Sequence, residues 1–244
     1  MIGSLFSGIG GLELGLEWAG FGPVSWQCEI DHFRRLVLAK HWPNATRYEN
    51  VRSLSGRKRD GSYLIESLAH VDLICGGFPC QPFSAASRGR RSLDLTLWKA
   101  FVEVVERVRP NQVVVENVAN NATKHWLPAV RQDLLLLGYR TRSLRIDARD
   151  VGAPHARARV FVVGYADAKA QPASAQHGQM ARVPAAAKAG RAWRKPLPGA
   201  LRMDDGVSFG VDRLAALGDA VVPQAAFVAG SVLVDWVHAH SGSV

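Results

Sequence analysis

The sequence lacks several things that would each point to a different class of protein. No apolar run of 18 residues stands out, so no bilayer-spanning helix is expected. The N-terminus has neither the basic region nor the apolar core of a signal peptide and goes straight into strand-like residues. Cysteine is scarce: Cys28, Cys75 and Cys80 fall at unrelated spacings, which give neither a disulfide framework nor a zinc pattern. A phosphate-cradling P-loop is also missing, which removes support for binding a triphosphate. These absences lead to the expectation of a cytoplasmic protein with no metal and no membrane partner; a monomer is expected, though no sequence feature specifies the oligomeric state.

What the chain has in excess is positive charge. A net charge of +9 and a pI near 9.9 over 244 residues fit a polyanionic partner. Short β-rich runs alternate with helical periods from the first residue to about 165. Ile2 to Phe6, Val24 to Cys28, Val71 to Cys75, Gln112 to Glu116, Thr141 to Ile146 and Arg159 to Gly164 read as strands. Leu97, Phe101, Val104, Val105 and Val108 make one helical face that stops at Pro110, and Leu127, Val130, Leu134 and Leu137 make the next. This alternation predicts an α/β fold with a mainly parallel sheet covered on both faces.

Residues 1–165 are therefore expected to form the catalytic, cofactor-binding domain. From 166 to 205 the composition turns to Ala, Pro, Gly and Gln, with seven basic residues against three acidic ones and no sustained period. That stretch reads as a loop-rich insert. Residues 206–244 are expected to return as a helix, marked by Ala225, Val228, Ala229, Val232, Leu233 and Trp236, that packs on the catalytic domain.

Two loops carry the chemistry. Phe6-Ser7-Gly8-Ile9-Gly10-Gly11 joins the first strand to the first helix, where glycine lets backbone approach a nucleotide at the carboxyl edge of a sheet. Glu29, ending the second strand, is placed to accept hydrogen bonds from a ribose diol, or else is a solvated loop acid. In Phe78-Pro79-Cys80-Gln81-Pro82-Phe83-Ser84 two prolines restrict the backbone around one cysteine. That makes Cys80 a candidate nucleophile, the alternative being a buried structural thiol.

These motifs, in this order, resemble the cytosine-5 DNA methyltransferases of bacteria and bacteriophages, which use S-adenosylmethionine. The likeness runs through Leu5 to Gly11, Glu29, the Pro79-Cys80-Gln81 loop and Glu116-Asn117-Val118. It continues through His155-Ala156-Arg157-Ala158-Arg159 and ends at Gly218-Asp219-Ala220-Val221-Val222-Pro223. The resemblance implies a Rossmann-like methyltransferase fold and a short target-recognition insert at 166–205. It also implies a cofactor site drawn from Phe6, Gly8, Gly10, Gly11, Glu29, Ile30, Asn50, Val51, Pro79, Asp219 and Val221.

By the same resemblance Cys80 adds to ring carbon 6 of a flipped cytosine and Glu116, kept protonated, serves ring nitrogen 3. Arg157 and Arg159 then hold the base's carbonyl oxygen and a phosphate. Duplex DNA is the implied partner. Gln81, Ser84, Arg88, Arg90 and Arg91 would close over the base, and Arg191, Arg194 and Lys195 of the insert would touch phosphates. Cys28 and Cys75 are expected in the core. The chain departs from the family at Asn50, where an acid is common, and at Asp219, where asparagine is usual. Two rival readings are an RNA cytosine-5 methyltransferase acting on transfer RNA and a catalytically silent nucleic-acid-binding remnant.

Overall fold

The computed structural model describes residues 1–55, 68–79, 95–167 and 217–241. Seven strands form one sheet: β1 (Ile2–Leu5), β2 (Val24–Cys28), β3 (Thr46–Tyr48), β4 (Leu73–Gly76), β5 (Gln112–Val118), β6 (Tyr139–Asp147) and β7 (Ala158–Ala166). Their order is β3-β2-β1-β4-β5-β7-β6. The first five pair in parallel, while β7 runs antiparallel to both β5 and β6. One strand is thus reversed in a sheet whose other six point the same way.

The helices are α1 (Gly11–Trp18), α2 (His32–His41), α3 (Val51–Ser55), α4 (Thr96–Val108), α5 (Thr123–Leu136) and α6 (Pro223–Ser241). The two faces of the sheet carry separate cores, and strict alternation along the strands assigns residues to them. On β7, Phe161 and Val163 join a cluster with Leu12, Leu16 and the apolar side of α6; Val160 and Val162 join one with α4 and α5. On β5, Val114 faces the first cluster and Val113 and Val115 the second. Such strands read as continuous apolar runs because both faces are covered.

Two elements fall outside the sequence expectation. β3 has three residues and α3 five, both too short to show a period. The expectation of no long apolar segment is corrected by α6. Most of it falls in Leu217–His240, which by length and composition, with a mean hydropathy of 1.6 over an 18-residue window, could cross a bilayer. Alanine and valine raise its hydropathy although their side chains are small. Ala226, Ala229 and Leu233 of this helix are buried in the core shared with α1.

α1 and α6 pack closely because glycine removes the side chains between them. A Cβ at Gly15 would stand 2.2 Å from the Pro223 carbonyl, and one at Gly230 would stand 2.8 Å from the Ala19 Cβ. β1 has β2 on one side and β4 on the other, so the chain leaves it in two directions. The carboxyl ends of β1 and β4 therefore border the crevice in which open α/β sheets bind ligands.

Candidate active site

The loop after β1 starts with a strained turn. Phe6 has φ +55°, unusual for a bulky residue, and Gly8 and Gly10 follow at +57° and +86°. Their glycines serve different ends. A Cβ at Gly8 would meet nothing within 4 Å, so this position is open to a ligand. At Gly10 it would strike the Trp42 ring at 2.2 Å, and at Gly11 the Val221 carbonyl at 2.2 Å. Gly10 and Gly11 thus have contacts within the protein that favour glycine, in addition to the close approach by a ligand to which the sequence pattern pointed.

Glu29 is a buried carboxylate and not a solvated loop acid. Its oxygens accept the Gly8 N–H at 2.7 Å and the Asp31 N–H at 2.9 Å, which ties the end of β2 to the loop after β1. A carboxylate has about four acceptor positions, so roughly two remain for a diol. Beside it Ile30 is 72% exposed and offers an apolar surface. Arg35 braces this turn from α2, donating to the Glu29 carbonyl at 3.0 Å and the Ile30 carbonyl at 2.6 Å while pairing with Glu49 at 3.1 Å.

Asn50 is exposed and caps α3. Its amide oxygen accepts the Arg52 N–H at 2.9 Å, so the oxygen expected to face an adenine amino group already has one donor. Val51 is buried in the second core. Asp219 is exposed and pairs with Arg34 at 2.5 Å, so the charge that replaces the family's usual asparagine is matched by a cation.

The loop after β4 is anchored by Phe78, buried against Trp98 and Trp126 with ring centroids 5.3 and 5.9 Å away. Burial of such a ring stabilises the loop by roughly 2 kcal/mol. Asn117 adds a second tie: its Nδ2 donates to the Phe78 carbonyl at 3.0 Å, and its Oδ1 accepts the Val118 N–H at 2.7 Å. Sequence reasoning gave Asn117 no role; the signal available was its position between Glu116 and Val118. Pro79 is exposed at the end of this anchored stretch. Cys80, Gln81, Ser84, Arg88, Arg90, Arg91, Arg191, Arg194 and Lys195 lie outside the described residues, as does most of the 166–205 insert.

Glu116 sits near the end of β5, over Gly77. A Cβ on that glycine would lie 2.7 Å from its Oε2, so the loop after β4 leaves just enough room for the acid. Arg159 reaches it diagonally across the β5–β7 ladder, Nε to Oε1 at 2.8 Å. Burial pushes the Glu116 carboxyl up to about 7, against the opposing pull of Arg159 and Arg157. A buried acid is thus half protonated near neutrality although two cations stand beside it.

Arg157 points the other way. Its Nη1 donates to the Gly218 carbonyl at 2.5 Å, while Nε and Nη2 are buried with no hydrogen-bond partner among the described residues. Burial, then Arg159, lowers its pKa, and Glu116 and Asp219 act in the opposite direction. Two desolvated donors without acceptors suit an oxygen-rich ligand. Arg157 also borders a cleft of about 560 Å³, walled by Ile9, Gly11, Trp42, His155 and Val221, where the glycine loop, α2, the start of β7 and the Gly218–Pro223 block converge. Cys28 and Cys75 are buried, and burial raises both thiols, Cys28 to about 12 and Cys75 well above the ordinary value. Neither is suited to act as a thiolate. No group of metal-binding side chains occurs among the described residues.

Residues 1–191 match the family described as C-5 cytosine-specific DNA methylase. The chain is 32% identical over 173 residues to the type II methyltransferase M2.BsuMI of Bacillus subtilis, a match covering 66% of this chain and 40% of that protein. It is 34% identical over 169 residues to the type II methyltransferase M.HindV of Haemophilus influenzae, covering 66% and 51%. A prophage-encoded E. coli protein of known crystal structure superposes with a TM-score of 0.54 at 30% identity, over 68% of this chain and 46% of that one. The matches thus span about half, or less, of the length of these relatives.

Proposed function

Because the chain belongs to the C-5 cytosine-specific DNA methylases, we propose that it methylates carbon 5 of cytosine in duplex DNA, using S-adenosylmethionine. The observation that carries this reading is Glu116: a buried carboxyl with a pKa near 7, gripped by Arg159 and lying against the loop that leads into Cys80.

The residues at the carboxyl ends of β1 and β2 fit the cofactor. Glu29 keeps acceptor capacity for a ribose diol, Ile30 offers an apolar surface for a purine, and Gly8 leaves the loop backbone open. What the cofactor supplies when bound is an electrophilic methyl group. The protein's task is to make a poor carbon nucleophile reactive. Cys80 adds to ring carbon 6, opening the 5,6 double bond and making carbon 5 enamine-like. Protonated Glu116 donates to ring nitrogen 3, so the negative charge developing on the ring is neutralised where it appears. Arg159 holds the Glu116 carboxyl in place, and the free N–H groups of Arg157 bind the base carbonyl oxygen or an adjacent phosphate. After methylation, the proton on carbon 5 passes to solvent water, its bonding electrons re-form the 5,6 double bond, and Cys80 leaves as a thiolate, which restores the aromatic ring.

The target base must leave the helix to reach this pocket. Gln81, Ser84, Arg88, Arg90 and Arg91 then close over it, and Arg191, Arg194 and Lys195 contact phosphates, with the protein acting as a cytoplasmic monomer on DNA. Duplex DNA carrying 5-fluorocytosine tests the reading, because fluorine cannot leave as a proton and the adduct persists. Wild-type protein with S-adenosylmethionine should give a denaturation-resistant DNA adduct, and Cys80→Ser should give none. An adduct that survives Cys80→Ser, or methyl transfer to transfer RNA in preference to DNA, would overturn it.

A further inference from the structure

Beneath the glycine loop lies a polar group that the proposed chemistry does not use. Glu13, in the first turn of α1, is completely buried, and so is Gln27 on β2. Gln27 Nε2 donates to Glu13 Oε1 at 3.5 Å, while the other two oxygens, Glu13 Oε2 and Gln27 Oε1, have no partner within hydrogen-bond distance among the described residues. Only the Ser4 and Ser7 hydroxyls stand near enough to act on the Glu13 carboxyl, and no donor among the described residues serves Gln27 Oε1, which would be costly. A single proton on Glu13 Oε2 resolves both. The acid O–H then donates to the amide oxygen while the amide N–H donates to the acid carbonyl, closing a reciprocal pair.

We infer that Glu13 is held as a neutral carboxylic acid paired with Gln27, and that this pair is a positioning element for the cofactor loop. It is placed to do so. Ser4 of β1 and Ser7 of the loop are buried beside it, with the Ser7 hydroxyl donating to the Ser4 hydroxyl at 2.9 Å. Ser7 N–H donates to the Cys28 carbonyl at 3.1 Å, and the next residue, Gly8, is the donor to Glu29. A shift of α1 against β2 would therefore be felt at the turn that meets the cofactor.

Burial raises the Glu13 pKa, while the nearby Ser4, Ser7 and Gln27 pull it down. Cys75 on β4 is the titratable group facing it, itself buried and held neutral, and among the described residues no charge of α2 or α6 acts on Glu13. An acid whose folded pKa is raised stabilises the fold fully below the ordinary carboxylate value. That contribution is lost as pH rises to the raised value. The loop should loosen in the same direction.

The inference rests on the cofactor reading only where it concerns the loop, and three measurements on the full chain separate the two. The infrared difference between wild type and Glu13→Gln at neutral pH should show the C=O stretch of a protonated acid; a carboxylate signal in its place would overturn the pair. Denaturant stability followed from pH 5 upward should fall more in wild type than in Glu13→Gln, the fall due to Glu116 being common to both; superimposable profiles would also overturn it. For the loop, Gln27→Leu should weaken S-adenosylmethionine binding roughly tenfold, one hydrogen bond's worth, and the exchange Glu13→Gln with Gln27→Glu should restore it. Failure of the exchange to rescue, with the acid band present, would remove the positioning role. If wild type binds no S-adenosylmethionine, the first two arms still decide the pair.

Discussion

Asn117 on β5 donates to the carbonyl of Phe78 on the loop after β4, at 3.0 Å. That bond joins the strand bearing Glu116 to the segment that continues into Cys80, so two motifs nearly forty residues apart are held in one register. Replacing Asn117 by Leu leaves a buried carbonyl without its donor and should cost about 1–3 kcal/mol of stability, read from urea unfolding. The turnover number should fall further than cofactor affinity does, because the bond positions the reacting groups and touches neither the glycine loop nor Glu29. Equal losses in both would make Asn117 a purely structural residue.

The second expectation concerns the sign of the Glu116 shift. Burial raises its pKa to about 7 and Arg159 opposes that rise. Arg159→Met removes the opposition, so the carboxyl titration followed by carbon-13 NMR should move further up. Glu116→Gln keeps the shape but cannot transfer a proton, and turnover should drop by roughly 100-fold or more. In wild type the protonated form is lost as pH rises through about 7, so the step that depends on it should weaken on the alkaline side. A Glu116 midpoint that falls in Arg159→Met would mean that the ion pair is not what sets it.

Much of the fold is visible in residue spacing, and the reasons are local. Leu97, Phe101, Val104, Val105 and Val108 recur at helical intervals, and α4 spans Thr96–Val108 before stopping at an Arg109 with φ +52°. β5 and β7 stand out as apolar runs because both faces of the sheet are covered. The reversal of β7 follows from its short connection to β6, which leaves no room for a helical crossover, but its place between β5 and β6 has no local signal. The Glu116–Arg159 contact depends on that reversal, because it is a diagonal across an antiparallel ladder. The motif order placed Glu116 and the two arginines among the candidate residues, yet their division of labour came only from register: Arg159 on the acid, Arg157 on the Gly218 carbonyl. Asn50 and Asp219 read as departures in sequence; in three dimensions one caps α3 and the other is paired with Arg34.

Third, the glycines of the first loop and of α1 should separate by partner. Gly11→Ala and Gly15→Ala each drive a Cβ against backbone, 2.2 Å from the Val221 and Pro223 carbonyls respectively. Backbone cannot rotate away as a side chain can, so each should destabilise by about 1–3 kcal/mol, with a lowered melting temperature. Gly8→Ala meets open space and bears only the strain of its positive φ, roughly 1–2 kcal/mol. Its larger effect should be on S-adenosylmethionine affinity, measured by calorimetry. A Gly11→Ala variant that keeps its stability but loses cofactor would mean that this glycine serves the ligand after all.

The last expectation concerns Arg34 and Asp219. Their contact is short, 2.5 Å, yet Asp219 is 69% exposed, so water screens much of the attraction. Asp219→Asn should therefore change stability by less than about 1 kcal/mol, and by less still at high salt. What the pair does instead is fix position. Arg34 projects from α2, and Gly218 beside Asp219 receives the Arg157 guanidinium, so the pair connects α2 to the block that meets the start of β7. Arg34→Leu should loosen that block and leave the Gly218 carbonyl less well placed for Arg157. The loss should appear in turnover while the melting temperature holds nearly constant. Asp219→Asn keeps a hydrogen-bonding group opposite Arg34 and should retain more activity than Arg34→Leu. A reversed ranking, with Asp219→Asn the weaker enzyme, would show that the carboxylate's charge itself is used at the site.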